Sequence, residues 1–182
     1  MVKSSKFTKE EELLLEDFSR NISKKTSLMF YLNAFIASTI PIWLYIRIHM
    51  MELISSSPLF VIMTAASTYL LAFAYKNSKF VLKHKVAQKV EESVTKAVLK
   101  QLGDKKKTVK SEKDERVLWK KNEVADSEAT TFALFYNNAM FLMLVVLGSF
   151  LVFRTLSPSY NYFFSIIGAA GVTALFSTST SK

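Results

Sequence analysis

Five lysines fall within the eleven residues "GDKKKTVKSEK" from Gly103 to Lys113: Lys105, Lys106, Lys107, Lys110 and Lys113. Ammonium groups at that density can bind polyphosphate without sequence preference, because each phosphate contact releases condensed counterions. Arg116 and Lys120 extend the cluster: with Lys113 they lie within about 60° of arc on a helix that turns about 100° per residue. Three readings compete for such a run. It is a solvated charge run without a partner, a contact for anionic lipid, or an RNA phosphate surface.

Other chemistry has little to stand on. The chain has no cysteine, which removes thiolate nucleophiles, disulfides and cysteine metal sites together. Its 2 histidines, His49 and His84, are far apart, and no G-x-S-x-G, H-E-x-x-H or Gly-rich phosphate loop accompanies them. No metal site, cofactor or enzymatic activity is therefore expected. His84 between Lys83 and Lys85, and His49 likewise, read as solvated or headgroup-level residues.

The elements that must position the lysines follow from where charge is missing. Asp, Glu, Lys, Arg and His are absent from Leu28 to Ile46, Leu53 to Tyr75, Ala129 to Phe153 and Thr155 to Ser181. Each block reaches the roughly 20 apolar residues that cross a bilayer. A soluble core helix of that length would carry polar residues at a period near 3.6. The sequence predicts an all-α membrane protein with four transmembrane helices, about 28–46, 53–75, 129–153 and 158–178.

Between the second and third spans, Lys76 to Glu128 carries fifteen Lys/Arg and nine Asp/Glu, which places that loop in the cytosol. Both termini then lie on the same side. Residues 1–27 form an N-terminal segment with a short amphipathic helix, 76–128 a basic helical hairpin, and the last residues a short tail. "MVKSSKFTKEEELLLEDFSRN" lacks the basic start and continuous apolar core of a cleaved signal, so the first span is expected to serve as the targeting signal.

The hairpin reads as two helices that continue the spans. In the first, Leu82, Val86, Val90, Val94, Val98 and Leu102 recur every fourth residue, Gly103 marks the stop, and Lys85, Lys89, Lys96 and Lys100 form a basic stripe beside them. The second is predicted to start at Ser111, with Asp114 completing a capping box, and Val117, Leu118, Val124, Ala125 and Ala129 mark its apolar side. From Lys76 to Leu102 such a helix projects about 40 Å, past the roughly 10 Å over which headgroup charge is felt in salt. Anionic lipid is then a poor partner for the tip and a good one for Lys76, Lys79, Lys83 and Lys85 at headgroup level.

Trp119 lies among Glu112, Glu115, Glu123 and Asp126, a surround that repels phosphate and complements the facing lysine stripe. It is predicted to clamp the hairpin, over a lysine stem or Val86, with Val90 and Leu118 packing beside it. On the fourth span Ser165, Ala169, Thr173 and Ser177 form a small-residue ridge, open to packing within the chain or against a partner subunit. A small tetraspan channel or transporter is the alternative reading. Its difficulty is that transport usually keeps ionisable groups inside the spans.

"IPIWLYIRI" (Ile40 to Ile48), "STYLLAFAYKNSKFVLKHKVAQK" (Ser67 to Lys89) and "EKDERVLWKKNEVADSEATTFALFYNN" (Glu112 to Asn138) resemble the gamma subunits of the translocon-associated protein complex, the signal sequence receptor gamma family. The resemblance covers nearly the whole chain. It implies a four-span endoplasmic reticulum protein held with alpha, beta and delta subunits beside the protein-conducting channel. It also implies a cytosolic domain that touches the large ribosomal subunit through RNA and ribosomal protein, in support of co-translational translocation.

Overall fold

The structure is a computed structural model; it describes residues 24–102 and 110–179, with side chains outside the description at 24, 25, 84, 87–102, 110–118 and 179. Four helices account for nearly all of it: α1 (Lys24–Arg47), α2 (Ser57–Leu102), α3 (Lys110–Leu147) and α4 (Pro158–Ser179). Among the described residues there is no strand. All four helices are long and apolar enough to cross a membrane, over Thr26–Arg47, Ser57–Lys83, Trp119–Val152 and Pro158–Thr178. Large apolar side chains such as Val61, Phe135 and Leu175 face outward, as they do where lipid replaces water as the solvent.

The helix ends follow local chemistry. The second span starts at Ser57 rather than Leu53, because Met51 to Ser56 are spent on the turn. The Ser56 carbonyl accepts the first helical bond from the Phe60 N–H at 3.0 Å, and Pro58 sits in the first turn, where its missing N–H costs nothing. Ser157 does the same for α4, accepting from the Asn161 N–H at 2.9 Å, with Pro158 as the first helical residue. After α1 the chain reverses through Met50, whose φ of 54° lets the Met51 N–H reach back to the Tyr45 carbonyl at 3.2 Å.

α2 packs most extensively on α3 and next on α4, and α1 leans chiefly on α2. Phe30, Tyr45, Leu71, Tyr75, Phe141 and Ile166 are among the side chains that fill the core. Ser165, Ala169, Thr173 and Ser177 are all buried within the chain, so the small-residue ridge packs against the chain's own helices. α2 and α3 run without interruption past the apolar windows, and α3 starts at Lys110, one residue before the predicted Ser111.

Candidate interaction surface

Three polar assemblies hold the bundle and fix where the arm formed by α2 and α3 leaves it. At the far end from the arm, α3 loosens into a π turn, Gly148–Val152, closed by the Phe153 N–H on the Gly148 carbonyl at 2.8 Å. A helix end leaves carbonyls without partners. Here Asn161 of α4 supplies them: its Nδ2 donates to the Ser149 and Phe153 carbonyls at 3.0 and 2.9 Å. Its Oδ1 accepts from the Tyr45 hydroxyl at 2.6 Å and the Ser165 hydroxyl at 3.1 Å. Gly148 is required by close approach, since a Cβ there would stand 3.2 Å from the Ser165 Oγ, which is already committed to Asn161.

His49 belongs to this assembly. Its ring stacks on Tyr45 with centroids 4.5 Å apart, and its Nε2 lies 2.7 Å from the Ser149 Oγ. Partial burial pushes the imidazole below its ordinary range, which favours the neutral ring in the folded state. The unfolded chain therefore binds the proton more tightly, and stability is full above about pH 6.5 and falls as the pH drops below it. Melting of the detergent-solubilised chain, followed by circular dichroism between pH 7.5 and 5.5, should show a decline that His49→Gln makes shallower. An identical decline in both proteins would remove His49 from the account.

The second assembly joins three helices midway along the bundle. The Tyr75 hydroxyl donates to Asn138 Oδ1, and Asn138 Nδ2 donates to Asn33 Oδ1 at 2.8 Å. One turn on, Asn137 Nδ2 donates to the Ser78 hydroxyl at 2.9 Å. Interhelical bonds from Asn33, Asn137 and Asn138 are what polar residues inside spans are for, at about 0.6 to 2 kcal/mol each.

The third lies where the arm meets the apolar spans. Lys79 and Lys83, one helical turn apart, both reach Asp126 of α3, at 2.9 and 3.2 Å. Their side chains are 8% and 4% exposed, so the two ammonium groups share one carboxylate in a largely dry seam. The Lys79 Nζ also stands 5.8 Å from the centroid of the Phe30 ring, and the Lys76 Nζ 5.2 Å from that of Tyr31. Of the four headgroup-level lysines, Lys85 is exposed and Lys79 and Lys83 are turned inward. The sequence pattern offers Asp126 to the wrong lysines, those of the stripe beginning at Lys85.

Trp119 is 66% exposed, whereas Lys121, Ala125, Ala129 and Ala133 are buried on α3 and Val86 is buried on α2. At about 100° per residue Trp119 stands about 200° from Lys121, on the opposite side of the helix. Lys120 is exposed too, tied to Glu123 at 2.8 Å in a solvent-facing pair worth little. Lys105, Lys106 and Lys107 lie outside the described residues, and so do the side chains of Val90, Lys110, Lys113, Arg116 and Leu118. Among the described residues no group of His, Asp or Glu is arranged to hold a metal ion.

Fold and surface together define a polytopic helical membrane protein whose second and third helices extend as a basic arm. Comparison with known proteins takes this further. The family description "Translocon-associated protein, gamma subunit (TRAP-gamma)" matches residues 10–179, and the chain belongs to that family. A curated relative, the translocon-associated protein subunit gamma of Dictyostelium discoideum, is 30% identical over 160 residues, covering 88% of this chain and 91% of the relative. Membership makes the chain a subunit of the translocon-associated type, embedded in a membrane by four apolar helices.

Proposed function

We propose that this chain is a non-catalytic accessory subunit at the endoplasmic reticulum membrane, which contacts the translating ribosome through its arm and supports co-translational translocation. The observation that supports this most is that α2 and α3, the two helices that flank the lysine-rich sequence, continue past their apolar windows as unbroken helices. Lys105, Lys106, Lys107 and Lys110 then make phosphate contacts on the large ribosomal subunit, with Lys113, Arg116 and Lys120 on the supporting flank. Lys76 and Lys85 stay at the headgroups. The alpha, beta and delta subunits and the protein-conducting channel are the neighbours in the membrane, and both termini lie with the arm in the cytosol. The span hydrogen bonds of Asn33, Tyr75 and Asn138 close on one another, and Asn161 bonds Tyr45 and Ser165, which favours a packed bundle over a water-lined transport path.

Cross-linking of native membranes tests the reading: residues of the arm should form adducts with ribosomal RNA or ribosomal protein. Adducts with lipid or sister subunits alone would overturn it. The exposed Trp119 gives a second check. Large aromatic side chains dominate interface energies, so Trp119→Ala should weaken ribosome co-sedimentation of the solubilised complex by about tenfold and leave its melting temperature nearly unchanged. A fall in melting temperature with full binding would return the ring to a packing role.

A further inference from the structure

α2, α3 and the end of α4 line a half-open groove of about 410 Å³ on the outer surface of the bundle that the proposed function does not use. It straddles the end of the second span: Ser78, Val81, Leu82 and Lys85 share one face of α2, and the apolar window of that helix ends at Lys83. Phe132, Phe135 and Tyr136 of α3 form the opposite wall, and α4 adds Phe176 and Ser177. The lining is thus aliphatic and aromatic along its length, with a cation and three hydroxyl-bearing residues. Lys79 and Lys83 spend their charge on Asp126, but among the described residues Lys85 has no anionic partner.

We infer that this groove holds one acyl chain of an anionic glycerophospholipid whose phosphate is met by Lys85. Charge complementarity selects the occupant. Lys85 sits two residues past the apolar window, at the depth where a long stem runs along hydrocarbon while its ammonium group reaches the headgroups. A partner's transmembrane helix fits less well. Such a helix is about 10 to 12 Å across and packs along many turns, whereas Ser78 to Lys85 spans about 10 Å. A chain-like ligand with one negative charge matches both the length and the sign.

The test uses the full chain reconstituted in phosphatidylcholine vesicles, with phosphatidylinositol or phosphatidylcholine carrying a diazirine in the acyl chain as the probe. Phosphatidylinositol should label the lining residues of α2 and α3 about fivefold more than phosphatidylcholine does, the preference one lysine near the surface supplies. Lys85→Gln should bring the two probes level. Ser177→Phe, which fills the groove, should reduce labelling by both, with circular dichroism confirming that the helices persist. Equal labelling of the unaltered chain by both probes would overturn the inference. So would a photo-reactive residue in place of Phe135 that captures a protein helix in native membranes instead of lipid. Neither result bears on whether the arm binds ribosomes.

Discussion

Asp126→Ala is expected to lower the unfolding free energy of the solubilised chain by about 2 to 3 kcal/mol. Removing the carboxylate leaves Lys79 and Lys83 facing each other in a seam where their side chains are 8% and 4% exposed. Breaking a fully buried pair costs about 3 to 5 kcal/mol, and the lower figure applies here because Asp126 is itself 40% exposed and partly screened. The sharper part of the prediction is recovery. Combining Asp126→Leu with Lys79→Met and Lys83→Met removes the charges together and should return most of the stability, because replacing a whole buried ion group by apolar side chains is often neutral. Loss of helical circular dichroism against temperature in one detergent measures both proteins. If Asp126→Ala melts where the unaltered chain does, the carboxylate is not what holds the arm to the spans.

The second large effect concerns binding. Lys106→Glu, Lys107→Glu and Lys110→Glu together should weaken ribosome co-sedimentation of the solubilised complex by at least about tenfold near physiological salt. The slope of log affinity against log salt should become shallower by about 0.7 to 0.9 for each phosphate that a lysine no longer neutralises. The slope separates phosphate binding from general damage: a misfolded arm weakens binding without that stepwise change. An unaltered slope would make these lysines a solvated run and leave ribosome binding to the rest of the arm.

The spans are legible because charge is absent from four long blocks, and hydrocarbon tolerates little else. Continuity of the arm is legible as well, from Leu82 and Val86 carrying the apolar period past Tyr75. The cross-helix chemistry is not. Asp126 meets Lys79 and Lys83, and Tyr75 meets Asn138, only once two antiparallel helices are set in register, and a single helix's period says nothing of register. Asn161 is one polar residue in "PSYNYFF", and its task exists only because α3 ends in a π turn that leaves carbonyls for it. The apolar side of α3 is legible at Ala125 and Ala129, which are buried, but not at Lys121, a charged residue of the same buried ladder whose type points to solvent. Trp119 lies about 200° from Lys121, away from that side.

The unbroken course of α2 has a mechanical meaning. A single rod of 46 residues, about 69 Å long at 1.5 Å per residue, begins at Ser57 on the far side of the spans and ends at Leu102 on the arm. The Asp126 ion group grips it at Lys79 and Lys83, between those two ends. Gripped there, the rod is a lever with its fulcrum at the membrane boundary: the 27 residues from Ser57 to Lys83 form the inner limb, and the shorter run to Leu102 the outer. A sideways push on the outer limb is borne by the Asp126 ion group and by the core into which Phe60, Met63, Leu71 and Tyr75 of the inner limb are packed.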